Sequence, residues 1–402
     1  MNRKTFGHSF GRRTALLTGV AAVAAPAVVR AQGEPIKIAT LTPLTGAGGP
    51  YGPTMAKAAA AVVEAVNSAG GVLGRKVVLV SEDDQTSPEP AVRAARKLID
   101  VDKVSAIMGT WASSVTTAVA PLCWESKTPL FTVSGADSIT LLPHQGYIIR
   151  TQPNSQLQVT TLAQFMLSLG TKKVFTMIPQ TPFTQTTIDI LNRELPKGGA
   201  THASLVYDDK KTTYRTEVDQ ALRGGPDMIL CNGYTPDSVI LLKDLYRAGY
   251  KGKIAGFAYS LNQKLIDQIG QPEVVEGVYT FAPSPAEGSN AYEQVKKASG
   301  LSAPDPYTCQ VYDHANMVLM AMAQAKDTTG GAIKDNVRKI CQGGGKAVDN
   351  AVDGIKAIAA GEKVDYTGAS GPCDFDEKGD ILSCKFRYEQ IKGGKFTLVK
   401  IA

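Results

Sequence analysis

Two short turns hold the residues best suited to chemistry. Gly109-Thr110-Trp111-Ala112-Ser113-Ser114 follows the apolar run Val104 to Met108, and Ser134-Gly135-Ala136-Asp137-Ser138 follows Pro129 to Val133. Each apolar run reads as a buried strand, and Ser113 or Ser114 reads as the N-cap of a helix. A helix start at the end of a buried strand leaves backbone N–H groups, hydroxyls and a positive dipole end free. Such a place holds a carboxylate or another anion without Lys or Arg. The same pattern also suits two plain strand-to-helix connections of an α/β sheet.

The elements that must position these turns alternate along the chain. Strands are expected at Ile36 to Leu41, Val77 to Val80, Val104 to Met108, Pro129 to Val133 and Tyr147 to Arg150, with helices between them. Pro53 stands at the first position of an alanine-rich helix that Gly70 stops. A second series has strands at Val174 to Ile178, Ala203 to Tyr207, Met228 to Cys231, Ile254 to Gly256 and Val278 to Phe281. Within it, Ile229 to Ser238 repeats the order of strand, glycine, aromatic residue, hydroxyl and helix found at Ile107 to Ser114. Short strands spaced by helices imply parallel βαβ units, and two such series imply a cleft between them. After Ala282-Pro283-Ser284-Pro285 come helices without strands of their own, at Asn290 to Ala298, Tyr307 to Ala325, Gly331 to Cys341 and Ala347 to Ala360. They are expected to pack back on an existing sheet, ahead of a β-rich tail.

Composition narrows the functional classes. The chain has 402 residues, 43% hydrophobic and 20% charged, enough for two cores. Its net charge of +6 falls to +1 once the five basic residues Arg3, Lys4, Arg12, Arg13 and Arg30 are set aside. No basic face for nucleic acid is implied. Residues 1–31 read as an export signal: a basic start, an apolar stretch from Ala15 to Val29, and small residues at Val29-Arg30-Ala31. Arg12-Arg13 resembles a twin-arginine signal, and Sec export stays open.

Six cysteines permit fifteen connectivities. Cys373 and Cys384 flank a hairpin-like segment with Gly379 in its turn and are the expected pair, with Cys341 as rival. Cys231 and Cys309 lie in apolar elements and read as buried thiols. Four scattered histidines offer no zinc spacing, so neither metal nor cofactor is expected. Gly70-Gly71-Val72-Leu73-Gly74 and Gly343-Gly344-Gly345 follow helices and lack the context of a phosphate loop. With no Gly-x-Ser-x-Gly either, an enzyme is disfavoured.

The order of Leu44-Thr45-Gly46, Asn67 to Gly74, Asp83-Asp84, Ala106-Ile107-Met108-Gly109, Tyr366 to Pro372, Phe375-Asp376 and Gly379-Asp380 resembles the leucine/isoleucine/valine-binding protein family, type I periplasmic solute-binding proteins of ABC importers. The resemblance implies two doubly wound α/β lobes joined by three crossovers. They would comprise 32–152 plus 283–366 and 153–282 plus 367–402. It further implies a small-molecule ligand, a membrane permease as partner and a monomer in the periplasm. A ligand-sensing domain of a regulator shares the fold and is the lesser alternative.

The resemblance places Ser113 on the ligand carboxylate, and the Ala136 carbonyl and the Ser138 hydroxyl in the next turn. Tyr51, Phe183, Tyr234 and Tyr307 match aromatic lining positions. The family's acidic residue for a ligand ammonium is absent from Gly256-Phe257-Ala258-Tyr259-Ser260-Leu261-Asn262. A buried ammonium without a carboxylate partner is costly, although Asp237 or Glu217 could substitute from elsewhere. With Trp111 and Tyr259 also near the expected cleft, an aromatic or other organic acid is favoured over an α-amino acid. A branched-chain amino acid is the alternative.

Overall fold

The computed structural model describes residues 33–342 and 344–402, and the expected export signal lies outside them. Strands β1 Ile36–Thr42, β2 Val77–Asp83, β3 Ile107–Thr110, β4 Leu130–Thr132 and β5 Ile148–Arg150 form a parallel sheet in the order β2-β1-β3-β4-β5. Strands β3, β4 and β5 are buried at every residue, as continuous apolar runs covered on both faces should be.

A second parallel set comprises β6 Lys173–Pro179, β7 Thr201–Tyr207, β8 Met228–Cys231, β9 Lys253–Phe257 and β10 Tyr279–Pro283. A small sheet follows, with β11 Lys346–Val348, β12 Val364–Gly368 and β13 Gly371–Pro372. The chain then returns to the second sheet with the antiparallel pair β14 Phe386–Lys392 and β15 Lys395–Ile401, giving the order β15-β14-β10-β9-β8-β6-β7. The fold is the α/β type with two doubly wound sheets that the sequence implied.

The strandless helices cover the first sheet. Residues Ala291, Val311, Val318 and Ile333 share one continuous core with Ile38, Met108 and Ile148. The helix Pro306–Ala325 is buried at every residue from 307 to 323, the pattern of a helix enclosed on all sides. Asp305 caps it, its Oδ1 accepting from the Tyr307 and Thr308 N–H groups at 3.0 Å each. That cap fixes Tyr307 at the head of the helix. Cys373, Phe375 and Ile381 also join the first core, whereas Phe386 and Tyr388 join the second.

Four local expectations are corrected. The third strand begins at Ile107 rather than Val104, because the Val104 N–H bonds the Leu98 carbonyl at 3.1 Å while Lys103 takes a left-handed φ of 57°. The helix Ser113–Glu125 has Ala112 as N-cap, with no side-chain cap, so neither Ser113 nor Ser114 caps it. The segment expected as one helix from Ala347 divides into β11 and the helix Ala351–Ala359, which Asn350 caps through the Asp353 N–H at 2.9 Å. All six cysteines are free thiols. Cys373 is buried in the first core, while Cys384 packs against the second and donates to the Lys385 carbonyl at 3.0 Å. The hairpin itself forms, with Phe375 bridged to Ile381 and the Gly379 N–H on the Asp376 carbonyl at 3.1 Å.

Candidate functional site

The carboxyl-terminal ends of the strands in the two sheets face a common cavity of about 60 Å³. Such ends are where open α/β sheets bind ligands. From the first sheet come Trp111 and Ser113 after β3, and Val133 and Gly135 after β4. From the second come Thr181 and Phe183 after β6, Asn232 and Tyr234 after β8, and Tyr259 after β9. Gln152, Gln158 and Tyr307 complete the polar and aromatic lining. Among the described lining residues there is no Asp, Glu, Lys, Arg or His.

Buried hydroxyls pin the first wall. Thr116 Oγ1 lies 2.6 Å from Ser134 Oγ and 2.9 Å from Thr110 Oγ1, and Thr132 Oγ1 donates to the Thr110 carbonyl at 2.8 Å. Ser134 Oγ donates to the Trp111 carbonyl at 2.8 Å, so the two turns are tied together beneath the cavity. Gly109 is required there. Its φ is 94°, and a side chain would meet Thr42 Cγ2 at 2.7 Å. The fully buried Arg150 completes the support: Nη1 donates to the Ala136 carbonyl at 2.5 Å, and Nε donates to Asp380 Oδ1 at 2.8 Å.

The second wall is aromatic and amide-rich. Asn232 is 2% exposed; its Oδ1 accepts from the Tyr259 hydroxyl at 2.5 Å, and its Nδ2 is buried without a partner. A buried donor left open costs roughly 1–3 kcal/mol and marks a place for an acceptor. Trp111 forms the floor between the walls, with ring centroids 5.6 Å from Tyr234, 6.0 Å from Tyr259 and 5.9 Å from Tyr307. Burial raises the Tyr259 and Tyr307 phenols well above their ordinary range, so both stay neutral donors. The Gly135 Cα carries no side chain because a Cβ would lie 2.9 Å from Gln158 Nε2 and 3.1 Å from Phe183 Cε2 across the cavity.

Of the residues singled out from the sequence, Trp111, Ser113, Phe183, Tyr234, Tyr259 and Tyr307 meet at this cavity. Tyr51 stands beside it, its ring 5.7 Å from Trp111 and 5.2 Å from Tyr307, and its hydroxyl accepts from Asn262 Nδ2 at 2.9 Å. Ala136 does not line it: its N–H donates to Ser113 Oγ at 3.2 Å and its carbonyl serves Arg150. Ser138 is exposed and away from the lining, because the turn winds into the 3₁₀ segment Asp137–Ile139.

Both substitute acids are engaged elsewhere. Asp237 is buried, accepting from the Tyr207 hydroxyl and from the Tyr234 N–H at 2.8 Å, and Glu217 pairs with Lys211. Asn232, Gln152, Gln158 and Thr181 also line the cavity, without being expected there from the sequence. For Asn232 a signal existed, since it stands between the strand end and Gly233 in the repeated strand-turn-helix pattern.

Comparison with known proteins decides the family. The model of periplasmic binding proteins matches residues 35–395. The chain belongs to the periplasmic binding protein family. Members of this family are solute-binding proteins of ABC importers rather than enzymes, and work in the periplasm. This periplasmic binding protein is 27% identical over 353 residues to a chemotactic signal transduction system substrate-binding protein, BasB, of Halobacterium salinarum, covering 85% of this chain and 84% of that one. A leucine binding protein, LivK, of Thermotoga maritima superposes with a TM-score of 0.77 at 22% identity, covering 91% of this chain and 98% of that one. A solute binding protein from R. palustris in complex with benzoate superposes with a TM-score of 0.72 at 18% identity, covering 91% and 96%. The resemblance to the leucine/isoleucine/valine-binding family therefore stands.

Proposed function

We propose that this periplasmic binding protein captures a small organic acid, aromatic rather than α-amino, and delivers it to the permease of an ABC importer. The open Asn232 Nδ2 carries the reading. A buried amide donor suits a carboxylate and repels an ammonium, and no acid is among the described lining residues to hold one. Trp111, Phe183, Tyr234, Tyr259 and Tyr307 supply flat apolar faces for a ring. Ser113 and Asn232 take the acid group. Tyr51 closes the edge, and Ala136 and Ser138 support the turn without touching ligand. A protein of the same fold holds benzoate, which supports the reading as far as shape goes.

The lobes divide near the crossovers at 152 and 283, and the third crossover follows the 373–381 hairpin, which packs on the first core, rather than lying at 366. The exported protein works as a monomer, sent out by a twin-arginine-like or Sec signal in residues 1–31. Calorimetric titration tests the ligand class: benzoate should bind with micromolar or tighter affinity and leucine should not. Tight leucine or valine binding with no response to benzoate overturns the proposal.

A further inference from the structure

A second cavity, about 380 Å³ against about 60 Å³, adjoins the first. Gln158, Tyr259 and Tyr307 line both, so the two spaces are separated by one layer of side chains. Its other walls are apolar: Phe257, Leu261, Phe281, Pro283, Tyr292 and Phe396 among them. Its charged groups lie at the rim, where Arg387 pairs with Glu287 and lies 2.9 Å from Glu389, and the Asp305 carboxylate is held by its own helix N-terminus; one cation against three carboxylates leaves the rim acidic. The space therefore offers apolar contact to a neutral tail, and its acidic rim disfavours a second anionic group there.

The geometry points to ligands longer than a simple ring. We infer that this protein takes acids bearing an apolar tail, with the carboxylate at Ser113 and Asn232 and the tail displacing the side-chain layer of Tyr259 and Tyr307 to reach the larger cavity. The inference rests on the organic-acid reading above. The first cavity holds a head group; the second supplies the room and the hydrophobic contact for four or more carbons. Each methylene taken from water should tighten binding ~fourfold at ~0.8 kcal/mol.

The test compares benzoate with 4-butylbenzoate by calorimetry on the mature protein. 4-Butylbenzoate should bind at least ~tenfold more tightly. Ala303 and Gln263 line the larger cavity from exposed positions, so Ala303→Trp and Gln263→Trp should fill it without harming the fold. Either variant should erase the advantage of the tail and leave benzoate affinity within about twofold. Equal affinity of the two acids for the unaltered protein overturns the inference, as does an equal loss of both acids in both variants. If neither acid binds, the organic-acid reading itself fails, and the tail inference falls with it.

Discussion

The two walls of the cavity differ in what their polar groups are doing. On the first wall the hydroxyls of Thr110, Thr116, Thr132 and Ser134 bond one another, Ser113 accepts from Ala136, and Arg150 fastens the turn to Asp380. On the second, Asn232 keeps a donor open beneath neutral phenols. A wall whose bonds are already made is a rigid seat; the wall with an unpaired donor is the one we propose chooses the ligand. Recognition is thus expected to depend on Asn232 and the aromatics more than on Ser113.

The largest effect should come from undoing the seat. Asp380→Ala leaves the buried Arg150 guanidinium without its carboxylate, which costs about 3–5 kcal/mol of stability. Urea unfolding should show the loss, while Arg150→Met with Asp380→Leu should recover most of it. A single variant as stable as the parent would mean that the ion pair does not hold the first wall.

Next in size is the open donor. Asn232→Leu removes the amide and strips the Tyr259 hydroxyl of its acceptor, and a hydrogen bond to a charged group is worth about 1.5–3 kcal/mol. Benzoate affinity should fall about 10- to 100-fold in calorimetry, with unfolding little changed. Ser113→Ala should cost less, about fivefold, because that hydroxyl offers a single donor while its oxygen accepts from the Ala136 N–H. If the serine variant loses more than the asparagine variant, the division of labour between the walls is reversed.

Much of this was legible in the sequence for physical reasons. Parallel strands buried on both faces leave apolar runs such as Ile107-Met108 and Met228 to Cys231, and glycine-hydroxyl turns after them mark the cleft ends. Side-chain pairing across long separations left no such trace. Arg150 reads as an ordinary end of a strand, yet its partner Asp380 is 230 residues away. Gln152 and Gln158 carry no periodic signal, and only the fold brings them to the cavity. Ala136 and Ser138 were matched by position alone, and a tight 3₁₀ turn points the serine outward. The Cys373 and Cys384 pairing failed similarly, because the chain between them leaves one core for the other.

The smallest effect concerns pH. No described lining side chain carries a charge, so affinity for a carboxylate should be nearly flat wherever the ligand stays ionised, above about pH 5. His314, buried beneath the first wall, is pushed down to about 3 and stays neutral. The exception lies behind the second wall, where burial raises the Asp237 carboxyl to about 6. Below pH 6 that group is protonated and neutral; above it a negative charge develops behind Tyr234. Affinity for benzoate should therefore decline by about two- to threefold between pH 5 and 7, a weak screened repulsion. Stability follows the same sign: the folded carboxyl binds its proton more tightly than the unfolded one, so its contribution is full below about pH 4 and is lost as pH rises through 6. In Asp237→Asn the affinity slope should flatten and the stability slope should become shallower, keeping the share of the likewise raised Asp84 and Asp313, and a bell-shaped or steep affinity profile in that variant would place a titrating group in the cavity after all.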